Sequence, residues 1–223
     1  MYKTKDFSIK DLKKIKEEID SVNSDQIPVK RVVLADGNAM VLSTKKLLAI
    51  LSLLKSSFHE LRRVSTYALP GDILSKSEDE LKEIKAAGLD LIYVGIESGD
   101  DPLLKMVNKG ETFDTTVSGL LKAKKLDIKS SVMILTGLGG ALYSKQHAEN
   151  SANVINITQP EYVSTLVLSF PFGVEHYKKQ FDGDFKEMNQ LQLIEELKLF
   201  LEKTDLERSI FRSDHASNYL ILK

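Results

Sequence analysis

Five apolar runs rich in β-branched residues recur along this chain at intervals of about 30 to 40 residues, and that interval is the strongest constraint on its fold. The runs are "RVVLA" (31–35), "RRVSTY" (62–67), "LIYVGI" (91–96), "IKSSVMIL" (128–135) and "YVSTLVLS" (162–169), and a helical pattern follows each one. A parallel pair of strands cannot be joined by a tight turn, so the chain between them must travel back along the sheet, most economically as a helix. The spacing therefore predicts an α/β fold with a parallel sheet. Local signals agree: Ser43 precedes the leucine-rich segment 44–58, "SEDE" at 77–80 is written as a capping box, and Gly88 follows Ala86-Ala87 where a helix needs a left-handed end. Ser144 and the segment "MNQLQLIEELKLFLEK" are read as starting two further helices. No low-complexity or Pro/Gly/Ser-rich linker divides the 223 residues, a length one core can organise, so a single domain over 1–223 is expected.

Composition narrows the chemistry. With 31 basic and 32 acidic residues the formal charge is -1, which gives no overall field for nucleic acid or an anionic membrane. There is no 18-residue apolar run and no signal-peptide pattern, so a cytoplasmic, soluble protein is expected. Cysteine is absent, which excludes disulfides, thiol nucleophiles and any cysteine-held metal or iron-sulfur site supplied by these residues. The four histidines, at 59, 147, 176 and 215, show no metal-ligand spacing, and neither a Walker loop nor a G-x-S-x-G elbow is present.

Parallel sheets crossed by helices bury both faces and present ligands with the carboxyl ends of their strands. At the first such tip, Asp36-Gly37-Asn38 is either a plain turn or a place where main-chain groups reach a ligand. The second places Ser65 and Tyr67 on one strand face and breaks the strand with Pro70-Gly71, with packing the commoner role for such a tyrosine. The third delivers Glu97 and Ser98 straight from an apolar strand. Glu97 is assigned to a ligand, because a carboxylate there suits a hydroxyl pair or an ammonium group, whereas Asp100 and Asp101 are assigned to capping the next helix. The fourth, "LTGLGGALYS", misses the dinucleotide fingerprint because its third glycine falls on Leu142. The closing "FRSDHASNYLIL" (211–222) has the wrong spacing for a local triad and is read as a polar tail pinned across the barrel mouth or bottom.

In order and spacing these tips resemble the radical S-adenosylmethionine superfamily, and "GIESGDDPLLKMVNKG" is similar to its branch of oxygen-independent coproporphyrinogen oxidases and tRNA-modifying enzymes. The resemblance implies a parallel partial (βα)6 TIM-like barrel with S-adenosylmethionine as cofactor. It implies main-chain contacts to the methionine part from Asp36, Gly37 and Asn38, flanked by Ser65 and Tyr67. It further implies a ribose or methionine contact from Glu97 with Ser98 beside it, a helix closed by Asn108, and an adenine-lining stretch from Leu135 to Gly139 that includes Gly137.

The family's Cys-x-x-x-Cys-x-x-Cys loop, which holds a [4Fe-4S] cluster and initiates the radical reaction, has no counterpart here, so that cluster is expected only in a full-length parent. The first strand is missing from the pattern too, and Met1-Tyr2-Lys3 is similar to residues that follow the cluster motif in the resembling branch. The leading expectation is therefore the C-terminal majority of a radical enzyme core, inactive as written. The alternatives are a cysteine-free pseudoenzyme that binds a nucleotide-like ligand or a protein partner, and an ordinary barrel aldolase or isomerase. The unpaired barrel edge is a predicted route to dimerisation.

Overall fold

The computed structural model describes residues 8–23 and 28–222. The Met1-Tyr2-Lys3 stretch lies outside the described residues. The chain alternates as expected: α1 (Leu12–Asn23), β1 (Arg31–Leu34), α2 (Thr44–Ser57), β2 (Arg63–Tyr67), α3 (Pro70–Ser75), α4 (Glu78–Ala86), β3 (Leu89–Glu97), α5 (Asp101–Met106), α6 (Phe113–Lys125), β4 (Lys129–Thr136), α7 (Gly140–Thr158), β5 (Tyr162–Val167), α8 (Val174–Lys178), α9 (Gln190–Lys203) and β6 (Ile210–Arg212). Among the described residues the six strands form one sheet in chain order, and every neighbouring pair is parallel. This is the parallel, partial TIM-like barrel anticipated above. It stays open, because β1 and β6 are its margins and do not pair with each other.

Burial separates the two faces of the sheet. Val64, Ile92, Val94, Ile96, Val132, Ile134 and Val163 join Leu47, Leu51 and Ile84 from α2 and α4 and Val154 and Ile155 from α7 in the main core. Each such side chain withdrawn from water contributes roughly 1.5 to 3 kcal/mol before the entropy of ordering is set against it. Residues that alternate with them, including Tyr93, Glu97, Met133 and Leu135, are only half-buried and line the concave face. That face is a trough running from the amino to the carboxyl ends of the strands.

Several helix signals act as written. Ser77 and Glu80 form a reciprocal capping box on α4, Gly88 takes a φ of 114° just after it, and the Asp100 side chain caps α5 by accepting from the Leu103 amide at 2.9 Å. Three expectations are corrected. α7 begins at Gly140 rather than Ser144, because Gly140 adopts a φ of 59° that lets the chain enter the helix directly from the strand tip. Pro70-Gly71 opens α3 instead of merely breaking a strand, since proline suits the first helical turn. The closing segment supplies a sixth strand as well as a polar tail. Ile210–Arg212 pairs with β5, and the chain then folds back so that Asn218 accepts from the Val167 amide at 2.8 Å and donates to the Thr165 carbonyl at 2.7 Å. The tail thus lies across the mouth.

Candidate functional site at the carboxyl ends of the strands

At the first tip Asp36 is exposed and takes a φ of 59°, a left-handed conformation an aspartate tolerates. Asn38 turns inward. Its carbonyl oxygen accepts from the Met40 amide at 2.9 Å and its amide nitrogen donates to Asp72 on α3, so the side chain ties the first two tips together. At the second tip Ser65 is buried and donates to the Val32 carbonyl at 3.3 Å. Tyr67 is 45% exposed on the same strand face, its ring 5.5 Å from that of Tyr93. Ser65 is therefore engaged within the sheet, whereas Tyr67 faces open space.

The third tip carries the main electrostatic feature. Glu97 has a φ of 62° at a register shift between β3 and β4, which folds its carboxylate back along its own strand. A methyl group on Gly95 would lie 2.7 Å from Glu97 Oε1, so the missing side chain at 95 makes room for the carboxylate on the concave face. Lys109 Nζ holds it at 2.9 Å. Both groups are mostly shielded from solvent, with 27% and 17% of their side-chain surface exposed. Asn108, with a φ of 53°, provides the left-handed residue that ends α5 and swings Lys109 toward the tip, but its own side chain is exposed. The sequence names Glu97 and Asn108 yet conceals the lysine, because nothing in "NKG" says which residue will turn inward.

Ser98 goes elsewhere. It is fully buried behind the sheet, where its hydroxyl contacts His147 Nδ1 at 2.8 Å and accepts from the Asp100 amide at 3.0 Å. His147 Nε2 lies 3.8 Å from Glu196 on α9, and Glu196 Oε1 accepts from the Gly137 amide at 2.7 Å. This Ser-His-Glu chain has the residue types of a hydrolytic triad but no access to solvent, with all three residues at most 3% exposed. Desolvation pushes the His147 imidazole below its ordinary pKa, opposed by the neighbouring Glu196 carboxylate. The network clamps the tips of β3 and β4 to α7 and α9. Periodicity could have placed His147 on the buried side of its helix, but no local pattern links it to Ser98 or Glu196.

Leu135 lines the trough, and Gly137, with a φ of 84°, borders a cleft of about 450 Å³ beyond the ends of β4 and β5. Phe170, Phe185, Met188, Asn218 and Tyr219 are among its other walls. Behind Phe185, Tyr177 stacks edge-on at 4.9 Å and donates to the Leu138 carbonyl at 2.8 Å, and burial raises its phenol pKa. These aromatics escape sequence reading because Tyr177, Phe181 and Phe185 have helical spacing, while α8 ends at Lys178. Of the sequence-named residues, the concave side and its rim thus bring together Tyr67, Glu97, Leu135 and Gly137. Ser65 and Ser98 are inward and engaged, and Asp36, Asn38 and Asn108 occupy the surrounding turns.

An open parallel barrel with its polar and glycine-rich tips gathered at one end defines a class of α/β proteins whose sites form at the carboxyl ends of the strands. Residues 2–146 match the Radical SAM superfamily, so the chain belongs to that family. Its fold is similar to that of Elp3 from the archaeon Methanocaldococcus infernus (TM-score 0.63, 16% identity, 91% of this chain and 52% of that one). Coproporphyrinogen III oxidase from Escherichia coli, described as a radical SAM enzyme, gives a TM-score of 0.69 at 14% identity over 86% of this chain and 45% of its own. Methylornithine synthase gives 0.57 at 16% identity over 89% and 56%. The chain thus spans about half the length of these structures, and at such identities the likeness concerns the fold. A search of curated proteins finds no match.

The family implies S-adenosylmethionine and a [4Fe-4S] cluster. The residues present do not fit the cluster: the sequence has no cysteine, and among the described residues no group of three or more histidine, aspartate or glutamate side chains is placed to hold a metal. Glu97 presents an acceptor beside the Leu135–Gly137 tip, as an adenosyl or methionyl group would require, whereas the spaces a side chain would fill at Gly95 and Gly137 are taken by Glu97 itself and by Leu193.

Proposed function

We propose that this chain is the cofactor-binding part of a radical S-adenosylmethionine enzyme core, and that it is catalytically silent without thiolates from outside these 223 residues. The observation that carries this reading is the family match over residues 2–146 in a chain without cysteine. The roles are those the rim supports. Glu97 accepts from the cofactor's ribose hydroxyls or ammonium group, Asp36-Gly37-Asn38 offers main-chain contacts, and Leu135 to Gly137 borders the adenine, with Tyr67 across the trough. Ser65, Ser98 and Asn108 act in this reading by holding the tips rather than by touching the ligand.

The Lys109–Glu97 pair favours a second reading, a pseudoenzyme: the carboxylate already has an internal cation, so the rim is electrostatically satisfied without cofactor. Calorimetric titration with S-adenosylmethionine, followed by anaerobic reconstitution with iron and sulfide, separates the two. The first reading expects saturable cofactor binding, weakened roughly tenfold by Glu97→Gln through loss of a charge-assisted hydrogen bond, and no retained iron-sulfur chromophore. Absence of cofactor binding favours the pseudoenzyme with a protein partner. Retention of a cluster by the purified chain would overturn catalytic silence.

A further inference from the structure

The amino-terminal end of the trough carries an arrangement the rim does not explain. Arg31 and Arg63 are the first residues of β1 and β2 and are direct partners in the parallel register. Val32 and Leu34 pack against the helix-side core, as does Val64, so alternation puts both arginines on the opposite, concave face with Val33 and Ser65. Adjacent strands run about 4.8 Å apart, which brings two permanent positive charges side by side. Like charges directly opposite one another on a sheet are unfavourable unless something neutralises them.

Neither guanidinium meets a partner among the described residues. Among the described residues no carboxylate lies within ion-pairing distance of either one, although the nearby Lys85 and Lys129 both engage Asp90. Arg63 is half-buried, and its Nε is fully shielded without any hydrogen-bond acceptor. A buried donor left unmade is costly, and here it sits beside a second unused guanidinium. Guanidinium forks are shaped to grip the oxygens of a carboxylate or phosphate in pairs.

We infer that Arg31 and Arg63 form a binding site for an oxyanion, the carboxylate or phosphate group of a small molecule, at the amino-terminal end of the trough. The site lies at the opposite ends of β1 and β2 from the proposed cofactor rim: Arg63 opens the five-residue strand that Tyr67 closes, about 13 Å further along. It stands or falls independently of S-adenosylmethionine binding.

The test follows the arginine Nε–H signals in nitrogen-15 spectra while inorganic phosphate, and in a separate titration malonate, is added at constant ionic strength set with chloride. Saturable movement of the Arg63 and Arg31 signals is expected. Arg63→Lys removes one signal and weakens the titration of the other roughly tenfold, because a lysine cannot reproduce the fork. Arg31→Gln, at an exposed edge position where folding is not at stake, must weaken the Arg63 titration similarly. Tighter phosphate binding assigns a phosphoryl group, and tighter malonate binding assigns a carboxylate. Signals that only drift linearly with both anions, or a saturable titration unchanged in Arg31→Gln, would overturn the site.

Discussion

Glu97 and His147 sit on opposite sides of the same strand tip and obey opposite electrostatic logic. Glu97 meets Lys109 at 2.9 Å, and part of its carboxylate still reaches water. His147 is shielded on all sides, so its neutral form is preferred even with Glu196 nearby. A histidine held below its unfolded value near 6.5 stays neutral in the folded chain while the unfolded chain takes up a proton. Stability from this residue is therefore complete above about pH 6.5 and declines as the pH falls below it, by at most about 1.4 kcal/mol per pH unit. Urea midpoints measured from about pH 7.5 to 5.5 should fall for the natural protein. The slope should be shallower in His147→Gln, whatever that substitution does to absolute stability. An unchanged slope would mean that this imidazole takes up protons alike in the folded and unfolded chain, and that burial does not hold it neutral.

At the scale of elements, the β3 tip meets α7 with no room between them. A methyl group at Gly99 would collide with the main-chain carbonyl of Asn150 and come within 2.8 Å of Val154 Cγ2. The obstacle is helix backbone, which cannot rotate aside as a side chain can. Gly99→Ala should therefore destabilise the protein by about 2 kcal/mol or more, read as a lowered urea midpoint with an unchanged m-value. This contact also marks the limit of what the sequence discloses. Strand positions, the capping box at Ser77 and the Asp100 cap were legible because each depends on residues within a few positions of one another. Lys109 meeting Glu97, Asn38 reaching Asp72 and Glu196 holding Gly137 depend on crossings 12, 34 and 59 residues apart, and no local pattern encodes them. β6 was missed because three residues, two of them exposed, leave almost no alternating pattern to detect. The radical SAM resemblance was legible in the order of the tips, whereas the direction in which Ser98 faces was fixed only by the packing of α7.

For the whole molecule, the open sheet is the governing feature. Among the described residues β1 presents an unpaired margin of four residues, and its Val33 is 48% exposed. Unpaired strand margins recruit further strands. We propose that the chain self-associates along β1, and sedimentation should show an association weakened by Val33→Lys, since an edge lysine disfavours strand addition. A monomer at all concentrations would refute this. The other margin is guarded differently: after β6 the chain turns back, and Ser213 pairs with Leu222 in an antiparallel bridge.

The gap between β1 and β6 also changes what size means for a ligand. A closed barrel admits only what can descend through its rim, whereas the described residues leave this trough slit along one side. For a ligand held at these tips, as proposed above for Glu97, that opening leaves room for a remainder too long or too branched to pass an axial rim. Selectivity then depends on anchor points spaced along the slot rather than on the bore of an opening.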